Sequence, residues 1–209
     1  SACAYNKDFQ DKPDISGLKE SDAYPANPED GYGWEKLFSE RMCRHYLEDY
    51  GLDVKVARYH NVYGPNGTYD GGREKAPAAL CRKVILANQK NSDIIDVWGD
   101  GKQTRSFLFI EDCVEATLQF FNSDHHGPIN IGSEEKVSIN EMIEKIEKIS
   151  SKNFKKNYQL DKPKGVRGRN SNNDLIRKLL KWEPKYNLYE GLKKTYRWIE
   201  EDIKKKHNQ

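Results

Sequence analysis

The 209-residue sequence is short of several things, and each shortage closes off a class of function. No apolar run approaches the roughly 20 residues of a membrane span, so no membrane partner is expected. Lysine and arginine total 35 against 33 acidic residues, and this near-balance gives no general drive toward nucleic acid or an anionic surface. The opening "SACAYNKDFQ" has neither the basic start nor the apolar stretch of a secretion signal. Cysteine is scarce: Cys3, Cys43, Cys81 and Cys113 stand far apart with no C-x-x-C pair, so the chain reads as cytoplasmic and reduced. The five histidines form no H-E-x-x-H motif. His125 and His126 lie in a loop-like string without partners at ligand spacing, and no metal is expected. A glycine-rich phosphate loop of the G-x-x-G-x-x-G type is also missing.

What is present is a soluble, globular composition: 36% apolar and 33% charged residues, in a chain long enough for one large domain or two small ones. "SACAY" reads as the end of a buried strand, followed by a polar, proline-containing loop to about residue 31. "YGWEKLFSERMCRHYLEDY" reads as a helix over 32–50, with Leu37, Phe38, Met42, Tyr46 and Leu47 at helical spacing and Gly51 as its C-cap. "DVKVARYHNVYG" reads as a strand. A glycine-rich loop then leads to a helix over about 76–88. "DIIDVWGDGKQTRSFLFI" reads as strand, Gly-Asp-Gly turn and strand. "EDCVEATLQFFNS" reads as an amphipathic helix with Val114, Leu118 and Phe121 on one face. "GPINIGS" reads as a short buried strand. Ser138 and Glu141 form a capping box that opens the next helix. A short helix at "SNNDLIRKLLKW" and a long amphipathic one from "NLYEG" close the chain. Alternating helices and strands with short loops predict an α/β layered fold.

The chemistry-bearing residues sit at element ends. Tyr32 and Lys36 are four apart on one helix face. An ammonium beside a phenol favours phenolate, and such a pair can take an alcohol proton while hydride leaves the same carbon. Ser1, at the expected strand end, could hydrogen-bond a substrate hydroxyl. "RYHNVYGP" ends the strand after the helix, and strand ends line the ligand crevice of an open parallel sheet. "GGREKAPAALCRK" packs alternating charge against an alanine-rich helix start. Read alone, Lys75 is an ordinary solvated lysine and Cys3 a small buried apolar residue. "GVRGRNSNN" places Arg167 and Arg169 between glycines, and without interleaved aromatics it is not read as an RNA contact.

Taken together, Ser1, Tyr32-x-x-x-Lys36, "RYHNVYGP" and "GDGKQTRSFLFIEDCVEA" resemble the extended short-chain dehydrogenase/reductase family acting on nucleotide-sugars. Ser106 stands where that family usually has Asp. "SACAY", "GTYDGGREKAPAALCRK", "WGDGKQTRSF" and "GVRGRNSNN" narrow the resemblance to the members that epimerise GDP-mannose at C3 and C5. The resemblance implies NAD as cofactor and GDP-mannose and GDP-hexose products as small-molecule partners, in nucleotide-sugar metabolism. It also implies a homodimer and no nucleic-acid or membrane partner. It implies that Tyr32 and Lys36 bind the cofactor and carry the C4 oxidation, with Ser1 beside them. It makes Cys3 and Lys75 the acid/base pair. Ala2, Asn61, Glu74, Ala76, Lys83, Gln103, Thr104, Arg105 and Arg169 are then substrate contacts, together with Ser1, Cys3 and Lys75. Arg73 would push the Lys75 pKa down, and Glu74 would oppose this if its carboxylate pointed inward.

The missing glycine loop makes the chain look like the C-terminal part of a longer protein, one that keeps the catalytic groups but has lost most of the NAD site. The expected fold is a partial Rossmann-like parallel sheet with helices, plus a smaller mixed α/β substrate-binding domain. Residues 1–63 and 106–132 are assigned to the first and 64–105 and 133–209 to the second. The alternatives are another NDP-sugar epimerase or dehydratase, against which Cys3 with Lys75 argues, and a fragment that only binds a sugar nucleotide.

Overall fold

The structure is a computed structural model and describes residues 1–162 and 165–207. In chain order its helices and strands are α1 (Gly31–Tyr50), β1 (Ala57–Tyr59), β2 (Val62–Tyr63), α2 (Ala76–Gln89), β3 (Ile94–Trp98), β4 (Thr104–Ser106), β5 (Leu108–Phe109), α3 (Ile110–Phe121), β6 (Ile129–Ile131), β7 (Lys136–Ser138), α4 (Ile139–Ser150), β8 (Lys155–Gln159), β9 (Gly168–Arg169), α5 (Asp174–Leu180) and α6 (Leu188–His207). Among the described residues, three two-stranded sheets are parallel: β1 with β6, β2 with β5 and β3 with β8. The fourth sheet has β4 at its centre, antiparallel to β7 and parallel to β9. This is an α/β fold of the Rossmann type, with parallel pairs joined through helices.

The helix ends follow from their residues. Asp30 caps α1 by accepting the Gly33 N–H at 2.8 Å, and Gly51 ends it in the left-handed region at φ 67°. Ser138 and Glu141 form the expected reciprocal capping box on α4.

The structure departs from sequence expectation in several places. "SACAY" is a short 3-10 helix over Ala2–Ala4, not a strand end, and Ser1 caps it by accepting the Cys3 N–H. The expected strand before Gly64 is split into β1 and β2, because Asn61 takes φ 45° between them. Asparagine tolerates that conformation better than most residues. The two strands flanking Gly-Asp-Gly do not pair with each other: β3 lies on β8, whereas β4 lies between β7 and β9. Neither β8 nor β9 has clear alternation in the sequence. On α3 the buried side is Cys113, Ala116 and Phe120, while Val114, Leu118 and Phe121 are exposed. The helix has apolar residues on both sides, and the smaller Cys and Ala allow the closer approach to the sheet. On α1 only Gly33 and Leu37 are buried, and Phe38, Met42 and Tyr46 face outward.

Three apolar clusters hold these elements. The largest joins α2, α4 and α6 with β3 and with Tyr63, Phe107 and Phe109. A second packs α3 and α5 on β5 and β6. A third, made of Ala2, Ala4, Tyr5, Leu18, Ala23 and Leu37, seats the start of α1 on the Cys3 segment.

Candidate active site

Two groups of side chains make up the candidate site, and the first surrounds Cys3. A Cβ on Gly33 would lie 2.4 Å from the Cys3 carbonyl oxygen, so glycine is what lets α1 start directly against this segment. Tyr32 is therefore near the Cys3 turn, and half of it is exposed. Lys36 Nζ lies 5.1 Å from the Tyr32 ring centroid, on the same helix face. Its ammonium donates to Glu35 at 2.7 Å, and this bond raises the Lys36 pKa. The helix is tied down by Arg58 of β1, which is buried and bonds both carboxylate oxygens of Glu40. Arg169, from β9, reaches back to this group: its Nη1 lies 3.5 Å from Cys3 Sγ and its Nε donates to Gln10 Oε1 at 2.6 Å. Ala2 is buried in the third cluster, so its side chain faces the core.

The second group lines a cavity of about 350 Å³ between the start of α2, the end of β3 and the start of β4. Seven residues named from the sequence border it: Asn61, Glu74, Lys75, Ala76, Lys83, Gln103 and Arg105. Asn61 is fixed by donating to the Ser106 carbonyl. Lys75 is exposed and forms the N-cap position of α2. The Glu74 carboxylate accepts the Gly72 N–H at 2.7 Å and pairs with Arg82 at 3.4 Å. Its visible work is to brace the glycine loop.

Arg105 donates to the carbonyl oxygens of Thr104 and Val166. Burial, and then the nearby Arg169 charge, pull its pKa down to about 10. Burial likewise lowers the pKa of Lys83, whose ammonium donates to the Asp96 carbonyl. Cations held at such a cost favour an anion beside them. Gln103 donates to the Trp98 carbonyl, while its buried Oε1 has no partner among the described residues. An unpaired buried acceptor beside a cavity suits a ligand N–H or O–H.

Thr104 is the exception among the cavity-side residues. Its hydroxyl donates to the Pro13 carbonyl, so it ties the first loop to β4. Sequence reasoning missed Gln10, Trp98 and the Arg58–Glu40 pair. Gln10 and Glu40 carry no motif and gain their roles only from distant partners. Trp98 had a weak signal: it ends an alternating strand, immediately before Gly-Asp-Gly, on the exposed side with Ile94 and Asp96.

The model of the NAD dependent epimerase/dehydratase family matches residues 1–132. GDP-mannose 3,5-epimerase of Arabidopsis thaliana is 50% identical over 205 residues, covering 98% of this chain and 53% of that protein. GDP-mannose 3,5-epimerase 1 of Oryza sativa subsp. indica is 50% identical over 209 residues, covering all of this chain and 54% of that protein. The chain thus spans about half the length of the curated relatives it matches. Among solved structures, a UDP-glucuronic acid 4-epimerase from Bacillus cereus in complex with UDP-glucuronic acid and NAD is similar at a TM-score of 0.75 and 27% identity, covering 94% of this chain and 60% of that one. A UDP-glucose 4-epimerase from Thermotoga maritima shares the fold, with a TM-score of 0.83 over 97% of this chain and 62% of that one, at 23% identity.

Proposed function

Because this chain belongs to the NAD-dependent epimerase/dehydratase family, we propose that the intact protein inverts GDP-mannose at C3 and C5, giving GDP-L-galactose with GDP-L-gulose as a second product. The observation that carries this reading is the cavity bordered by seven of the expected sugar-nucleotide contacts, with the unpaired Gln103 Oε1 and the Arg105 guanidinium at its wall. The 50% identity to two GDP-mannose 3,5-epimerases supports it.

Within these 209 residues the fit to NAD is at one end only. Tyr32 and Lys36 share an accessible helix face that suits the nicotinamide and its ribose, and the sequence contains no glycine-rich phosphate loop. When bound, NAD supplies oxidation of C4 and its later re-reduction. The C4 ketone makes the C3 and C5 protons acidic. Tyr32 takes the C4 hydroxyl proton and returns it, and Lys36 keeps a positive charge beside that phenol. Ser1, whose hydroxyl can still donate, steadies the same hydroxyl. Cys3 and Lys75 exchange the carbon-bound protons from opposite faces of the ring, since one group on one face cannot invert a centre. Lys83 and Arg105 hold the diphosphate, with Asn61, Glu74, Ala76 and Thr104 completing the substrate wall or its support.

We further assign residues 1–63 and 106–132 to a cofactor-side lobe and 64–105 and 133–209 to a sugar-nucleotide lobe. The outward Phe38, Met42 and Tyr46 of α1 suit a homodimer contact, to be read by sedimentation velocity with a Phe38→Glu variant. A cytoplasmic location fits the reduced cysteines, and fractionation would test it.

The test of the activity is incubation of the intact protein with GDP-mannose and NAD in deuterated water. Deuterium should enter at C3 and C5, with GDP-L-galactose appearing by NMR. Turnover of UDP-sugars at C4, with GDP-mannose untouched, would overturn the reading.

A further inference from the structure

Arg169, which the resemblance makes a substrate contact, directs its guanidinium at three residues of its own chain. Nη1 lies 3.5 Å from Cys3 Sγ, within reach of a hydrogen bond to sulfur. Nε donates to Gln10 Oε1 at 2.6 Å, and Nη2 lies 3.8 Å from a Glu29 carboxylate oxygen. Arg169 is thus held on three sides, and among the described residues Glu29 is the carboxylate that opposes its charge at that range. The side chain is 11% exposed, so solvent screens this arrangement weakly.

Gln10 is what fixes the orientation. It is fully buried, although nothing in its local sequence calls for a buried amide. Its Nε2 donates to the carbonyl oxygens of Tyr5 and Asn6, at 3.4 and 3.1 Å. With the amide nitrogen spent on two acceptors, Oε1 must face the other way, toward Arg169. The Gln10 backbone carbonyl also accepts the Arg167 N–H at 2.9 Å, which aligns the strand carrying Arg169 with the segment carrying Cys3. A glutamate here would set a carboxylate against two carbonyl oxygens. An apolar residue would remove the side-chain donor from the Tyr5 carbonyl and the acceptor from Arg169 Nε, while the Asn6 carbonyl would keep only the Phe9 N–H at 3.4 Å.

We propose that Gln10 is a positioning residue that holds the Arg169 guanidinium against Cys3 Sγ, so that Arg169 governs the reactivity of the Cys3 thiol. The catalytic meaning of this relay rests on the reading of Cys3 as a proton-exchanging group. In that step the sugar C–H proton moves to the thiolate, its electron pair stays on the substrate as an enolate, Lys75 delivers a proton to the opposite face, and the thiol then gives its proton to solvent. Arg169 offers the sulfur an N–H donor and a fixed positive charge throughout. The Gln10–Arg169 contact joins residues 159 apart in sequence and, with the Leu18 N–H to Asn170 carbonyl bond, helps hold the first loop beside β9.

The test is iodoacetamide alkylation of Cys3 in the intact protein, followed by mass spectrometry of its peptide across a pH series. A Cys43→Ala background removes the other thiol that is not buried. Arg169→Gln should raise the midpoint of the alkylation profile and slow the reaction at neutral pH about three- to tenfold. Gln10→Met, which keeps volume and leaves Arg169 in place, should shift the profile in the same direction by a smaller factor. Gln10→Asn is the second variant if Met is not tolerated, and Arg169→Gln decides the matter if neither Gln10 variant folds. Profiles within twofold of the parent for Arg169→Gln, or for a folded Gln10 variant, overturn the relay. Deuterium exchange into GDP-mannose with the same variants separates the two readings. A moved thiol midpoint with unchanged exchange supports the relay and removes Cys3 from the proton chemistry. An unmoved midpoint with lost exchange overturns the relay and leaves Arg169 as a substrate contact.

Discussion

Removing the Glu40 carboxylate should loosen α1 and, through it, Tyr32 and Lys36. Arg58 is 1% exposed and donates three hydrogen bonds to Glu40, at 2.7, 3.0 and 3.2 Å, and a fourth to the Glu20 carbonyl at 2.7 Å. Its ring-facing side lies 4.9 Å from the Tyr5 centroid. Burial works against the Arg58 charge, but the Glu40 carboxylate outweighs it and the pKa lies above the ordinary arginine value. Truncating Glu40 to Ala leaves that charge buried and uncompensated, which costs about 3–5 kcal/mol. Glu40→Gln keeps the shape and one acceptor, so about 2–4 kcal/mol is expected. Replacing both partners, as Arg58→Met with Glu40→Leu, removes the stranded charge and should return to within about 2 kcal/mol of the parent protein. Urea unfolding of the parent, both single changes and the pair gives the coupling energy directly. Glu40 is one helical turn beyond Lys36, so C4 oxidation should fall along with stability. A cost below about 1 kcal/mol for Glu40→Ala would refute the view that this pair anchors the helix.

Tyr32→Phe should abolish C4 oxidation and with it both epimerisations, and deuterium incorporation at C5 that survives the change would remove Tyr32 from the mechanism. Arg105→Ala should weaken GDP-mannose binding about ten- to a hundredfold, as loss of one charge-assisted contact worth roughly 1.5–3 kcal/mol implies, and calorimetry would read this. Buried His60 is held neutral by desolvation, with its pKa pushed down to about 3 from 6.5. Below pH 6.5 the unfolded chain therefore binds a proton that the folded one refuses, so stability should fall with decreasing pH through the window down to about 3. The slope from this one group reaches at most about 1.4 kcal/mol per pH unit, and it should be missing in His60→Gln when urea unfolding is compared at two pH values.

Most helices were legible in the sequence because their signals are local. Gly51, Ser138 and Glu141 act within a turn of themselves, and the α/β alternation follows from periods of a few residues. The shared face of Tyr32 and Lys36 was legible for the same reason, since four-residue spacing alone puts them there. The grouping around the cavity came instead from the motif resemblance, which carries long-range information that periodicity lacks. Tertiary structure decided the remainder. Only packing on the sheet selects Cys113, Ala116 and Phe120 over Val114, Leu118 and Phe121, because both sides of α3 are apolar. Only pairing across the chain sends β3 to β8 and β4 to β7 and β9. Arg169 lies 166 residues from Cys3, and Gln10 lies 159 from Arg169. No local spacing can encode those separations. The direction of a guanidinium is set by the acceptors the fold brings to it, and a buried amide such as Gln10 acquires its role only when two distant segments close around it.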